Sequence, residues 1–230
     1  MLRWVGEQFC ARADVLAVLL AQQSPVAVRS GHVSERAVYR WLRRAEAAGL
    51  AHQRSMLGRR WCVPTTRGLS FAGLVNGDGK AWEAAEPSKH RLAHHHACAV
   101  MRLWAESQGL AWESERWLRR RADAARVHPP DGVVLGADGG RWAVEVELTQ
   151  KSDDNLASAL RSMPGGLVAL VYFTPAAMVE RIRAQLARVT VALANPDPAL
   201  PVSLRRPVTV PPWRVEPLPE VPGVTYEGRW

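Results

Sequence analysis

Two carboxylates, a hydroxyl and a lysine recur at every second position in one short segment. In RWAVEVELTQKS, residues 141–152, the alternate positions are Glu145, Glu147, Thr149 and Lys151. Alternating polar and apolar residues indicate a β-strand, so these side chains are predicted to share one face. Such a face can hold a cation or meet a phosphate, although a solvated strand face shows the same alternation.

Acidic residues on neighbouring predicted strands complete a candidate metal site. Adjacent strands lie about 4.8 Å apart, so Asp131 and Glu145 could share one cation if their strands pair in register. Mg²⁺ (or Mn²⁺) is held by carboxylates and water, and a metal-bound water is the nucleophile for phosphodiester cleavage. Glu147 lies about 6.6 Å further along the same face, near enough to hold a water or a second cation.

Lys151 is predicted to contact a DNA phosphate and to stay apart from these acids. Along an extended strand, the six residues that separate it from Glu145 cover about 20 Å. It would reach the carboxylates only if the strand ended and the chain turned back after Thr149. We therefore assign Lys151 to phosphate binding or to the start of the next helix.

Residues 89–194 are predicted to form the domain that positions these acids. Periodicity predicts a helix, three strands beginning with LAWESERWL, a helix, a strand and a closing helix, an α/β arrangement within a chain that is α+β overall. This αβββαβ order, with Pro-Asp before the second strand and Glu-x-Glu ending the third, resembles the PD-(D/E)xK nuclease core. The resemblance implies that Asp131 and Glu145 bind the metal of a Mg²⁺-dependent endonuclease or nickase. It also implies that Glu115, in WESERW, is a fourth acidic residue of the catalytic site, supplied by an earlier element. That superfamily has lysine where this chain has Glu147. Some restriction endonucleases of this fold look similar to this chain, because they also carry Glu-x-Glu.

Positive charge is concentrated in residues 1–76. This segment holds 11 arginines and four acidic residues, so it accounts for +7 of the chain's net charge of +8. Clustered positive charge is typical of proteins that bind polyanions, although solvated basic faces are also common.

A helix is predicted from about Ser34 to Gly49, with an apolar inner stripe and arginines outside. Two short strands joined through Gly58 and a final helix follow it.

Helices followed by a basic hairpin resemble a winged helix-turn-helix, and residues 1–76 are expected to form one. The resemblance implies binding to double-stranded DNA, with the helix in the major groove and the wing on the flanking backbone or minor groove. The predicted DNA contacts are Ser34, Arg36, Tyr39, Arg40 and Arg43 in the helix, and Arg59 and Arg60 in the wing. A protein-docking winged helix with solvated arginines is the alternative.

The whole stretch looks like the replication-relaxation family of plasmids and integrative elements. The segments that carry this resemblance are KHRLAHHHACAVMRLWAE, WESERWLRR, PPDGVVLG and VEVELTQKS, in this order. That family similarly joins a winged helix to a nuclease-like region, which implies a DNA-associated role on a mobile element. Two functions stay open: a Mg²⁺-dependent endonuclease or nickase, and a non-catalytic replication or transcription regulator whose nuclease-like domain is a DNA or protein platform.

The remaining segments are interpreted as a linker and a C-terminal tail. Residues 77–88 are rich in turn formers and are interpreted as a linker. The proline-rich tail, residues 195–230, is expected to be extended, with an edge strand at 208–210, and is a candidate contact for a partner or for a homodimer. No apolar run could span a bilayer and the first residues lack a secretory signal, so we expect a cytoplasmic protein with no membrane partner.

Histidines and cysteines are assigned to packing. His90 and His94 to His96 lie close together in the sequence, but no third metal ligand follows at a recognisable spacing. We therefore favour packing or hydrogen bonding for His94, and a DNA phosphate contact from exposed histidines is equally allowed. The three cysteines, Cys10, Cys62 and Cys98, are too few and too scattered for a disulfide framework, and each is predicted to be a small buried residue.

Overall fold

The chain has a mixed α/β fold in two compact units. The computed structural model describes residues 1–22, 33–121, 129–136, 139–196 and 207–226. The first unit comprises Met1–Gln108 and Pro219–Trp230, and the second comprises Gly109–Leu218. Among the described residues, no helix is both long and apolar enough to cross a bilayer.

The first unit contains a three-stranded antiparallel sheet with helices packed on it. Its strands lie in the order β1-β3-β2. Its elements are α1 (Leu2–Glu7), β1 (Ala11–Arg12), α2 (Ala13–Gln22), α3 (Glu35–Ala47), β2 (Ala51–Met56), β3 (Arg59–Pro64), α4 (Thr66–Phe71), a 3₁₀ turn (Lys89–Arg91) and α5 (Leu92–Ser107). The sequence also predicts a short helix and a turn at Gly31 before α3, and that turn lies outside the described residues.

Helix α3 lies where the apolar periodicity predicts a helix. Ser34 has the extended backbone of a residue that precedes a helix, and Val38, Leu42 and Ala45 are buried at helical spacing. These three side chains join a core that also contains residues of α2 and α5. Packing of the inner face therefore leaves the arginine-bearing face of α3 outward.

The observed division of the chain differs from the predicted linker at residues 77–88. Helix α5 was assigned to the second domain, but Ala99, Val100 and Leu103 lie in the same core as residues of α2 and α3. Apolar burial therefore places α5 in the first unit. The end of the tail also belongs there, because the Thr225 carbonyl oxygen accepts a hydrogen bond from Arg12.

We expect Gly68→Ala to lower the free energy of unfolding of the chain by about 3 kcal/mol. A Cβ atom at Gly68 would lie 1.8 Å from the backbone oxygen of Leu50, which also accepts a hydrogen bond from the Thr65 amide. The clash is with backbone, so α4 itself would have to move. Urea unfolding followed by tryptophan fluorescence measures the change. Gly77→Ala is the matched control, because a Cβ there meets nothing within 4 Å. Equal stability of the two variants would contradict this packing.

The second unit is built on a five-stranded mixed sheet of order β4-β5-β6-β7-β8. Strands β4, β5 and β6 are antiparallel, whereas β6, β7 and β8 are parallel. The elements are β4 (Ala111–Ser114), α6 (Glu115–Arg121), β5 (Gly132–Leu135), β6 (Arg141–Val146), α7 (Asp153–Arg161), β7 (Ala169–Thr174), a 3₁₀ turn (Ala176–Met178), α8 (Val179–Ala194) and β8 (Trp213–Pro217). Helices α7 and α8 are the crossover connections that parallel strands require.

Two predictions about this unit's elements are wrong. The first strand ends at Ser114, because the Ser114 hydroxyl accepts the Trp117 amide and Glu115 begins a helix in which it pairs with Arg119. Glu115 therefore lies in a helix and not on the strand predicted over LAWESERWL. The strand expected at residues 208–210 lies instead at Trp213–Pro217, as a fifth strand beside β7. The unit thus departs from a simple αβββαβ order by gaining α6 and β8.

Candidate active site and candidate nucleic-acid interface

Asp131 lies beside the end of β6 that carries Glu145, because its carboxylate accepts the Val146 amide. Gly132 pairs with Val144 in the antiparallel β5–β6 ladder, and Asp131 directly precedes this paired part of β5. The Asp131 Oδ2 atom accepts the amide of Val146 at 2.8 Å, which holds the carboxylate in place.

Lys151 joins these acids, and the prediction that it stays about 20 Å from Glu145 along an extended strand is wrong. Strand β6 ends at Val146, and the chain turns before α7 begins at Asp153. The Lys151 Nζ atom consequently lies 2.7 Å from Glu147 Oε2 and 3.9 Å from Glu145 Oε2. We call Asp131, Glu145, Glu147 and Lys151 the acidic cluster.

The acidic cluster carries a formal charge of −2 in a largely buried position, from three carboxylates and one ammonium. Glu145 is 2% exposed and Glu147 is 6% exposed. Burial alone would lower the pKa of Lys151, but the carboxylates of Glu145 and Glu147 outweigh burial and raise that pKa above its ordinary value. Lys151 therefore stays protonated.

Tyr172 places a buried hydroxyl beside the acidic cluster. It pairs with Glu145 in the parallel β6–β7 register and is 1% exposed. Burial raises the pKa of Tyr172 well above its ordinary range, and the nearby carboxylates of Glu145 and Glu147 raise it further. Within the described ranges, its hydroxyl has no hydrogen-bond partner. Sequence reasoning missed Tyr172, although it is a hydroxyl-bearing residue within an apolar strand.

Gln185 holds the loop that carries Lys151. It lies on the inner face of α8, is 2% exposed, and donates from Nε2 to the Lys151 carbonyl at 2.7 Å and to Asp153 Oδ1 at 2.8 Å. The loop is thereby tied to the helix packed beneath it. Sequence reasoning also missed this residue. The available signal was a polar residue within the apolar stripe formed by Ile182 and Leu186.

Glu115 is placed near the acidic cluster, but its carboxylate is engaged elsewhere. The Glu115 amide donates to the Asp131 carbonyl at 3.2 Å, whereas its side chain pairs with Arg119 one helical turn later. Of the described carboxylates, no three have oxygens that all converge within 4.8 Å. A cation in the cluster would therefore be held by two carboxylates, with water completing its shell, which is how proteins usually bind Mg²⁺.

A groove in the first unit gathers most of the residues predicted to contact DNA. Helix α3 and the β2–β3 hairpin enclose a space of about 800 Å³. It is lined by Ser34, Arg36, Tyr39, Arg40, Arg43, Gln53 and Arg60, which we call the basic groove. Arg59 lines an adjoining cavity together with Tyr39 and Arg60. Sequence reasoning missed Gln53, which is an unremarkable polar residue of a short strand.

The three cysteines and two of the four clustered histidines pack inside the first unit, whereas His90 is exposed. His95 and His96 are buried, and His96 Nε2 lies 3.0 Å from the Thr225 carbonyl oxygen. Burial lowers the pKa of His96 to about 4, so this imidazole is neutral and donates to the tail. His94 Nε2 lies 3.5 Å from the Cys98 sulfur. All three cysteines are free and buried, as predicted.

Comparison with known proteins assigns no function to this arrangement. No family model, curated protein or solved structure matches it. The resemblance to the replication-relaxation family therefore stays a proposal. A function for the chain is therefore inferred from the chemistry of the acidic cluster and of the basic groove.

Proposed function

We propose that this chain binds double-stranded DNA and hydrolyses a phosphodiester bond with the help of a divalent cation, Mg²⁺ or Mn²⁺. The observation that carries this proposal is the position of Lys151, 2.7 Å from Glu147 and beside Glu145. The Glu-x-Glu pattern lacks the lysine of the nuclease motif it resembles. A lysine from the following loop supplies an ammonium at the same acids.

The donor set fits a hard divalent cation. Asp131, directly before β5, and Glu145, on β6, offer carboxylates, and a formal charge of −2 in a largely buried site favours a cation of equal and opposite charge. A bound Mg²⁺ would polarise the phosphoryl oxygen and lower the pKa of a bound water, which is the nucleophile of such hydrolysis. We assign the cation to Asp131 and Glu145.

The protein's own groups would position the phosphate and stabilise its charge. The Lys151 side chain is 32% exposed, whereas those of Glu145 and Glu147 are 3% and 8% exposed. Lys151 is therefore the group of the cluster best able to reach a DNA phosphate. Its ammonium would stabilise the negative charge that develops during phosphodiester cleavage. Glu147 keeps the ammonium oriented, and Gln185 fixes the loop backbone.

The basic groove would bind the duplex. Exposed arginines on α3 can meet phosphates or the guanine edge in the major groove, where bidentate arginine contacts specify sequence. We assign Arg40 and Arg43 to these contacts and Arg60 of the hairpin to the flanking backbone. The resemblance to the replication-relaxation family supports a DNA-associated role on a mobile element.

A nicking assay tests the proposal. Supercoiled plasmid carrying the chain's own genetic neighbourhood is incubated with the full chain and Mg²⁺, Mn²⁺ or EDTA. We expect open-circular product with either cation and none with EDTA. A parallel preparation from cells that lack the chain controls for contaminating nucleases. Absence of cation-dependent nicking would overturn the catalytic function and leave the alternative of a non-catalytic DNA or protein platform.

A further inference from the structure

Leu57 is an apolar residue that the fold leaves exposed at the tip of the β2–β3 hairpin. Its exposed fraction is 66%. Met56 pairs with Arg59, so Leu57 and Gly58 alone form the turn. Both have positive φ angles, +52° and +70°. A two-residue turn with this backbone is of type I′.

Folding does not explain a leucine at this position. The first residue of a type I′ turn is usually asparagine, aspartate or glycine, because other side chains fit poorly at positive φ. The exposed Leu57 side chain also adds nothing to the core. Local backbone preference and burial therefore both disfavour leucine, and a contact made by the hairpin tip with a partner would offset that cost.

The surroundings of Leu57 indicate the chemistry of that partner. Arg59 and Arg60 follow it on the same hairpin, and Arg60 also lines the basic groove. The apolar tip is thus attached to a strongly cationic surface. The minor groove of B-DNA is about 6 Å wide, is lined by phosphates, and accepts apolar side chains that wedge between base pairs while arginines bind alongside.

We propose that Leu57 is an apolar wedge that enters the minor groove of the duplex held by the basic groove and bends it. This inference rests on the proposed DNA-binding function and specifies how the hairpin takes part. A wedge unstacks one base step and kinks the duplex, so sequence preference would follow the flexibility of that step.

The Leu57→Asn variant distinguishes a wedge function of Leu57 from a structural role of this residue in the hairpin. Asparagine tolerates positive φ, so we expect the urea midpoint of the variant to equal or exceed that of the wild type. Affinity for a mixed-sequence fluorescent duplex should fall roughly tenfold, as expected for loss of one buried leucine contact. Bending, followed by energy transfer between dyes at the duplex ends, should be lost. Leu57→Met should keep both affinity and bending.

Phe71→Asn is the matched control, because Phe71 is an apolar residue of the same unit that is 73% exposed and lies on α4. It should change neither affinity nor bending. If the wild type binds DNA and Leu57→Asn binds and bends it equally well, the wedge proposal is overturned while the DNA-binding function stands. Failure of the wild-type chain to bind any duplex would overturn the DNA-binding function and the wedge together.

Discussion

Replacing Lys151 by methionine is expected to slow cation-dependent nicking of DNA by about 100- to 1000-fold, the usual cost of removing one group that stabilises developing charge. Methionine keeps most of the side-chain length but removes the ammonium that lies 2.7 Å from Glu147 and 3.9 Å from Glu145. The same change removes a positive charge that competes with a divalent cation for these carboxylates. Cation affinity should therefore rise while the rate falls.

The measurement is the rate of single-turnover nicking as a function of Mg²⁺ concentration. A merely structural role of Lys151 would lower the rate and the cation affinity together, so the opposite movement of the two quantities identifies the proposed role. Lys151→Arg keeps the charge and should retain more activity than Lys151→Met. The matched control is Lys80→Met, because the Lys80 side chain is 82% exposed and pairs with Asp78. A rate in Lys151→Met close to that of the wild type would contradict the assignment.

Removing two arginines of the basic groove should weaken DNA binding strongly and change its salt dependence. We expect Arg40→Ala with Arg43→Ala to lower duplex affinity by about 10- to 100-fold and to reduce the slope of log K against log salt by about two, because each phosphate contact contributes about 0.9 to that slope. Both residues are exposed on α3, so the fold should be unaffected. Fluorescence anisotropy over a salt series measures both quantities.

The matched control for the groove removes two arginines that do not line it. Arg44 lies on the same helix and Arg3 lies on α1, so Arg3→Ala with Arg44→Ala removes the same charge from the same unit. This pair should leave affinity nearly unchanged. Equal effects of the two double variants would indicate a diffuse electrostatic surface. Unchanged affinity and salt dependence in Arg40→Ala with Arg43→Ala would favour the protein-docking alternative.

Local sequence patterns were sufficient to predict a helix or strand whose own spacing of apolar residues determines which face is buried. Val38, Leu42 and Ala45 recur at helical spacing, so the inner face of α3 and the outward arginines could be predicted. The alternation that begins at Glu145 also indicated a strand, but β6 ends at Val146, so Glu147, Thr149 and Lys151 lie beyond it and do not form one strand face. The strand predicted over LAWESERWL ends earlier than expected, at Ser114. The Ser114 hydroxyl accepts the Trp117 amide where α6 begins, and alternation does not reveal this helix.

The candidate site was predicted only in part, because two of its groups depend on tertiary packing. The position of Lys151 follows from where β6 ends and from Gln185, a residue 34 positions later in the chain. Tyr172 reaches the cluster through the parallel register with β6. Neither the end of a strand nor a long-range register is encoded in local periodicity. The same limit applies to α5, whose partners in the core are determined by folding of the whole first unit.

Binding of Mn²⁺ to the full chain, measured by calorimetry, tests the central claim most directly. The cluster of Asp131, Glu145, Glu147 and Lys151 should bind one cation, and Asp131→Asn should weaken binding by at least about tenfold. Asparagine retains an oxygen that can accept the Val146 amide, so the backbone contact of Asp131 is preserved. Asp154→Asn, at an exposed acid on α7 of the same unit, should bind like the wild type. No cation binding by the wild type, or equal binding by Asp131→Asn, would contradict a metal-dependent site in this cluster.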